Sequence, residues 1–514
     1  MSIFEPGERE FAEAASGIAY CNPFLPERLE WERKALGEDF QASDTIWHPR
    51  TDPLSAFPNV DTLSARATQI ADAAATRLRG GARPSARDLR LYEDLALFTL
   101  YHEFEDRILE TVELQLRGTK AGKITYFPQF VQRFGDLTDI EGLEILPEPP
   151  AHLFALFFHL RRAFFHIFSN LVGSSVAMAR LRGAIWQSIF THDMRRYRKV
   201  LFDRMGDITT LILGASGTGK ELVARAIGYS RYLPFDPRTM QFSEDFTCSF
   251  YALNLSALST TLIESELFGH RRGSFTGALD DHSGWFEVCG PLGSVFLDEI
   301  GELDTAIQVK LLRLLQTRTF QRIGDTGNLV FEGKVIAATN RNLEREMEGG
   351  QFREDFYYRL CADMIETPTL AEQIEGDPEE LQRLVTFVAS RLLGEQDGAE
   401  LAADVVRWVD SHLGWQYRWP GNFRELEQCV RNIMVRGSYA PRRGNPRGFA
   451  ARLVAQLDSG DLTAEDVIRR YCTLIYSKTH NYEETARRLK LDRRTVKAKI
   501  DPDLLEELSD RESV

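Results

Sequence analysis

Apolar residues recur at helical spacing along 60–79, along 86–117 and again along 151–170, so the first third of the chain reads as mostly helical. Pro147, Pro149 and Pro150 punctuate the approach to the third of these helices. From about residue 172 the pattern changes. Short apolar runs at 209–213, 294–297 and 334–338 alternate with amphipathic stretches at 221–230 and 306–317. That alternation predicts an α/β module: a parallel sheet with helices on both faces. Residues 379–437 carry only helical periodicity and predict a small bundle beside the sheet. Pro, Gly and Arg fill 440–448, a linker composition, and 462–502 reads as a small all-α unit. The expected boundaries are 1–171, 172–439, a linker at 440–461, and 462–514.

Composition narrows this picture little. The 514 residues suit about three domains, and a 43% hydrophobic and 27% charged make-up is ordinary for a globular protein. The net charge of -14 argues against a chain whose whole surface coats nucleic acid, but leaves room for one small DNA-binding unit. Six dispersed cysteines (Cys21, Cys248, Cys289, Cys361, Cys429, Cys472) with no CxxC pair fit free thiols in a reducing cytosol. The N-terminus is acidic and lacks an apolar signal core. The most apolar stretch, 153–171, is interrupted by His159, Arg161, Arg162 and His166, short of the ~20 apolar residues of a membrane helix. A cytoplasmic location without membrane association is expected. No receiver-type phosphoacceptor pattern and no internal repeat occur.

Chemistry concentrates in the α/β module. Gly214, Ala215, Ser216, Gly217, Thr218 and Gly219 follow an apolar run and lead to Lys220 and Glu221 at the start of a helix. Glycines there let backbone N–H groups close around phosphates, and a helix N-terminus adds positive potential. Lys220 is placed to reach the β- and γ-phosphates. Asp298 and Glu299 end an apolar run at its carboxyl side, where open α/β sheets bind ligands. Between these halves stand Gly273, Ser274, Phe275, Thr276, Gly277 and Ala278, whose aromatic tip marks a contact loop.

That segment closely resembles the GAFTGA loop of bacterial enhancer-binding proteins, AAA+ ATPases that remodel RNA polymerase carrying sigma-54. The run from Gly217 to Ala226 resembles the family too, including Glu221 in place of the usual Ser/Thr; Ala215 replaces the family's Glu. The resemblance implies ATP and Mg²⁺ as ligands. Asp298 would hold Mg²⁺ and Glu299 would polarise the attacking water. Asn254 matches the residue that restrains the catalytic Glu, Asn340 (after Thr339) matches sensor I, and Arg424 matches sensor II. Arg353 and Arg359 match arginine fingers that reach the neighbouring subunit's ATP, which implies a homo-oligomeric ring, by the family norm a hexamer; pairing with Glu354 and Asp355 is the local alternative. The 273–278 loop, with Phe275 and Thr276 at its exposed tip, would touch sigma-54. One departure stands out: where the family has Pro-Pro-Leu-Arg-Glu-Arg, this chain has Thr367, Pro368, Thr369, Leu370, Ala371, Glu372 and Gln373, without either arginine.

Residues 481–499 read as helix, turn, helix, with Ala486, Leu489, Leu491 and Val496 packed between the helices. Arg493, Arg494, Thr495, Lys497 and Lys499 then face outward, as on a helix that enters a major groove. The unit resembles the Fis-type domain of the same family and implies enhancer DNA as a partner. The reading is therefore a sigma-54-dependent transcriptional activator that hydrolyses ATP. An AAA+ remodeller of another client is the alternative, and a non-enzymatic DNA-binding regulator a further one. His152, His159 and His166 repeat every seven residues, about 10.5 Å apart along a helix, too far for one metal ion. They read as a polar stripe on an amphipathic helix.

Overall fold

The computed structural model describes residues 2–42, 58–118, 122–245, 250–375, 377–441, 453, 456–457, 460, 462–502 and 504–505. The chain forms two compact units, Met1–Val435 and Arg436–Val514. The linker expected at 440–461 lies mostly outside the described residues, as does Cys248.

Unit one is built on a five-stranded parallel sheet in the order Phe250–Asn254, Ser294–Asp298, Lys334–Thr339, Thr210–Leu213, Asp363–Glu366. The three inner strands are buried almost throughout, which is why they read as apolar runs rather than alternating ones. Strand periodicity splits their side chains between two cores. Ile212, Phe296, Ile336, Ala338 and Ile365 enter one; Leu211, Val295, Leu297, Val335 and Ala337 enter the other. Helices Thr260–Phe268 and Thr305–Thr317 cover the second face. Lys220–Gly228 covers the first and is itself backed by Pro150–Asn170 and Val176–Phe190.

The first core does not stop at residue 171. It runs on through helices Pro6–Tyr20, Pro58–Arg79, Ala86–Leu116 and Phe127–Thr138, so the N-terminal segment and the sheet share one apolar interior. Helix Pro150–Asn170 lies at the centre, apolar nearly all round. Phe154 meets Phe127 and Phe235 at ring separations of 5.1 and 5.0 Å, and Phe158 meets Phe242 at 4.8 Å. Phe235 and Phe242 belong to the hairpin Phe235–Asp236/Gln241–Phe242 that follows helix Lys220–Gly228. Each fully buried Phe contributes about 1.5–3 kcal/mol, so this cluster ties the N-terminal helices to the ATPase portion firmly.

The histidines, expected as a polar stripe on an amphipathic helix, are largely covered. His159 and His166 are buried, and all three rings turn onto residues 229–232. His159 Nε2 lies 2.9 Å from the Ser230 carbonyl oxygen, His152 Nδ1 lies 2.8 Å from the Tyr232 hydroxyl, and His166 stacks on Tyr229. Burial pushes His166 down to about 3 and His159 well below its ordinary value, so both sit neutral in this seam. Among the described residues no helix is long and apolar enough to cross a membrane.

Candidate nucleotide site and contact loop

The carboxyl end of strand Thr210–Leu213 feeds a loop, 214–219, that turns into helix Lys220–Gly228. Gly214, Gly217 and Gly219 have φ of +154°, +80° and +89°. A Cβ at Gly214 would lie 2.0 Å from Thr367 Oγ1, and one at Gly217 would lie 2.5 Å from the Gly421 carbonyl oxygen. Glycine is therefore required at both, by conformation and by space. Lys220 Nζ folds back and donates to the carbonyl oxygens of Gly214 and Ala215 at 2.9 and 3.2 Å. Burial lowers its pKa, while the charges of Glu299 and Asp298 act against that. Glu221 points away from the loop and pairs with Arg225 at 2.7 Å, an i,i+4 ion pair.

Asp298 closes strand Ser294–Asp298 at the same end of the sheet. Burial and then the adjacent Glu299 raise its pKa, against the pull of Lys220. Glu299 has φ +58°, a left-handed conformation unusual for a side-chain-bearing residue, and its N–H donates to Asp298 Oδ1 at 3.0 Å. Strain of this kind collects at functional sites. The Asn340 N–H donates to Glu299 Oε2 at 3.3 Å from the end of strand Lys334–Thr339. Asn254 is in register with Asp298 on the neighbouring strand. Its Oδ1 accepts from the Ser256 N–H and hydroxyl at 3.0 and 2.7 Å, rather than engaging Glu299.

The helical bundle that follows reaches the loop through the start of helix Asn422–Arg436. Arg424 donates to Ser216 Oγ at 2.9 Å, Asn422 Nδ2 donates to the Ser216 carbonyl oxygen at 3.0 Å, and the Phe423 N–H to that of Gly217 at 3.1 Å. Where the family's arginines are missing, other groups make the connection. Thr367 and Thr218 hydroxyls lie 2.6 Å apart, the Thr367 N–H donates to the Leu213 carbonyl oxygen, and Thr369 with Glu372 caps the next helix. The sequence marks Thr367 only as part of this departing stretch; its hydroxyl contact with Thr218 and its closeness to Gly214 make it a wall of the loop.

Arg353 caps the start of one short helix, Glu354–Leu360, and Arg359 lies in its last turn. Arg353 forks onto Asp355 at 3.0 and 2.8 Å, whereas Arg359 is exposed and has no ion pair among the described residues. The 273–278 loop is anchored below by an antiparallel bridge between His270 and His282 and by Arg271, which pairs with Asp281 and Asp325 at 2.7 and 2.8 Å. Gly273 and Gly277 have φ of +80° and +106°, and the Gly273 N–H donates to the Ala278 carbonyl oxygen at 2.9 Å. Thr276 is exposed, as expected. Phe275 is only half-exposed, because its ring stands edge-on to His270 at 4.9 Å. The fully presented apolar group is Leu279, 79% exposed, which sequence reasoning passed over.

Residues 189–366 match the family model described as Sigma-54 interaction domain. Over this stretch the chain is similar to sigma-54 interaction domains. The chain is 45% identical over 229 residues to the Nif-specific regulatory protein of Azotobacter vinelandii, covering 44% of this chain and 40% of that protein. It is 37% identical over 301 residues to the transcriptional regulatory protein ZraR of Klebsiella oxytoca, covering 57% and 63%. The matched stretches thus span about half the length of these curated relatives. A solved structure of NtrX from Brucella abortus in complex with ADP aligns at 21% identity and a TM-score of 0.41, covering 79% of this chain and 87% of that one.

The matched stretch takes in the phosphate loop, the acidic strand end, the 273–278 loop and both candidate finger arginines. It ends at Glu366, before Arg424. The second unit stands apart from it in sequence. There helices Ala464–Thr479, Tyr482–Leu489 and Arg493–Lys499 pack around Cys472, Thr473, Thr485, Ala486 and Val496. Leu491, expected in this core, is 36% exposed: Lys490 adopts a left-handed conformation that ends the second helix and turns Leu491 outward. Arg493, Arg494, Thr495 and Lys497 are exposed, Arg493 pairing with Glu483 at 3.2 Å; Lys499 reaches Glu465 at 2.6 Å.

Proposed function

We propose that this protein is a sigma-54-dependent transcriptional activator whose ATP hydrolysis drives remodelling of the polymerase. The observation that carries the reading is the 273–278 loop standing on the same sigma-54 interaction domain as Lys220, Asp298 and Glu299. The loop glycines and Lys220 bind and orient the triphosphate. Asp298 would hold Mg²⁺, which when bound neutralises charge on the transferring phosphoryl group. Glu299, held by the Asn340 N–H, orients the attacking water and takes its proton. Asn254 sits one strand away, where a turn of its side chain off Ser256 would bring it to Glu299. Arg424, already against Ser216, reports the state of the loop to the bundle. Arg353 and Arg359 complete a neighbour's site in a homo-oligomeric ring, by resemblance a hexamer, acting in the cytoplasm. In this reading residues 1–171 are regulatory, 172–439 form the ATPase module, and 462–514 bind enhancer DNA.

The loop's part in this is separable from hydrolysis. Thr276→Ala should keep ATPase activity near wild type and abolish open-complex formation at a sigma-54 promoter, measured by permanganate footprinting with purified holoenzyme. Leu279→Ala should fall between the two. Parallel loss of ATPase and open complexes would make the loop a structural element instead.

DNA binding is separable too. Arg494 is exposed and unpaired among the described residues, while Lys499 must leave Glu465 to meet a phosphate. Arg494→Ala should lose ~1–3 kcal/mol of discrimination between bases, and Lys499→Ala should weaken all sequences alike while lowering the salt slope by about one. Binding of a randomised DNA pool to 462–514 at several salt concentrations reads both. No enrichment from the pool at low salt would remove the DNA-binding assignment.

A further inference from the structure

At the amino-terminal end of the sheet's strands, opposite the nucleotide site, lies a cavity of about 470 Å³. Strand Lys334–Thr339 spans the two: Asn340 follows its last residue beside Glu299, and Lys334, its first, lines the cavity roughly 20 Å away. Helix Pro150–Asn170 contributes His159 to the wall, and the segment before strand Thr210–Leu213 contributes Phe202 through Asp207. The cavity therefore sits where the N-terminal helices meet the ATPase module.

Its charges are arranged by depth. Lys334 is buried and Arg318 and Arg231 are half-buried, whereas the carboxylates on the lining, Asp203, Asp207 and Glu332, are exposed at the rim. Lys334 Nζ donates to the carbonyl oxygens of Ile208 and Met205 at 2.7 and 3.4 Å. Arg318 donates to those of Gly333 and Gly206 at 3.0 and 2.7 Å, with Asp207 3.2 Å away. Carbonyl dipoles satisfy Lys334 without cancelling its charge, whereas Arg318 is partly matched by Asp207 at the rim. Burial, then Arg231 and Arg318, push Lys334 down to about 7 against the pull of Asp363, as expected of an amine among like charges. Ser230 Oγ, buried on the same wall, has no hydrogen-bond partner. An orphaned buried hydroxyl costs about 1–3 kcal/mol unless something else meets it. Ile189, Ile227, Leu292 and Phe331 form an apolar wall beside the further polar residues Ser188, His159 and Arg204.

We propose that this cavity is a binding site for a small organic anion, a carboxylate or phosphate monoester with an apolar body. The anionic group meets Lys334, Arg318 and Arg231, Ser230 donates to it, and the body occupies the apolar wall. Such an occupant lies between the N-terminal helices and the first residue of the strand that leads to Asn340, so it is an effector rather than a substrate. This inference goes beyond the ATPase reading and requires no step of it.

The test is calorimetric titration and thermal melting of the full chain with hexanoate, benzoate and phenyl phosphate, beside inorganic phosphate for charge alone and benzyl alcohol for body alone. At least one of the three organic anions should bind saturably with a Kd below about 1 mM and raise the melting temperature. Lys334→Met and Arg231→Gln should each weaken that binding about 10–100-fold. Ser230→Ala, which leaves every charge in place, keeps the question open to measurement if the Lys334 variant fails to fold; it should weaken binding about 3–10-fold. Preference between benzoate and phenyl phosphate tells carboxylate from phosphate. The proposal is overturned if none of the three binds, if benzyl alcohol binds as well as benzoate, or if Arg231→Gln and Ser230→Ala both leave the affinity unchanged.

Discussion

Replacing Glu299 with Gln should leave ATP binding close to wild type while steady-state turnover falls about 100- to 10,000-fold, the usual contribution of a positioned general base. The expectation rests on where Glu299 stands. Its backbone is held in a left-handed conformation beside Asp298, and the Asn340 N–H fixes one carboxylate oxygen. Gln keeps the size, and its amide oxygen can still accept from Asn340, so the pocket is not disturbed. What it loses is basicity. Lys220 and the loop glycines, which hold the phosphates, are untouched, so a fluorescent ATP analogue should titrate with nearly the same Kd. Lys220→Ala should do the reverse and lose binding itself. If Glu299→Gln retains turnover within a few-fold of wild type, Glu299 is not the base and Asp298 becomes the candidate.

Much of this site is legible in the sequence because its central strands are buried on both faces. Thr210–Leu213, Ser294–Asp298 and Lys334–Thr339 read as apolar runs, and the phosphate loop and the acidic pair follow directly at their ends. The two edge strands do not announce themselves. Phe250–Asn254 is only partly buried, and Asp363–Glu366 is four residues long with a carboxylate at each end. Periodicity gave helix Pro150–Asn170 but not its surroundings: a seven-residue repeat of histidines says they share a face, not that the face is covered by 229–232. The same limit hid the cavity at Lys334, whose wall is gathered from residues as distant in sequence as His159 and Phe331. Leu279, and the place of Thr367 in the wall of the loop, were missed for the opposite reason. Each is a common residue type whose meaning comes from a neighbour, the Thr218 hydroxyl in one case and open solvent in the other.

Arg359→Ala should lower ATPase activity about 1,000- to 100,000-fold if its guanidinium completes a neighbour's site, the range expected of an arginine acting in trans. The structure separates the two candidates. Arg353 forks onto Asp355 from its own helix, so its charge is already matched, while Arg359 is exposed and unpaired among the described residues. Such an arginine has no carboxylate to leave before it reaches a phosphate, and Arg359→Ala should therefore cost at least as much as Arg353→Ala. Asp355→Asn distinguishes a structural role from a catalytic one: it frees Arg353 without removing it and should retain turnover. Subunit mixing then tests the ring. Arg359→Ala subunits keep Lys220, and Lys220→Ala subunits keep Arg359, so each supplies what the other lacks across a head-to-tail interface. In an equal, random mixture about a quarter of the interfaces join an intact loop to an intact arginine, and activity should recover to that order while each variant alone stays inactive. Recovery no greater than the average of the separate variants would mean that Arg359 acts within its own subunit, and the case for a shared site would rest on Arg353 alone.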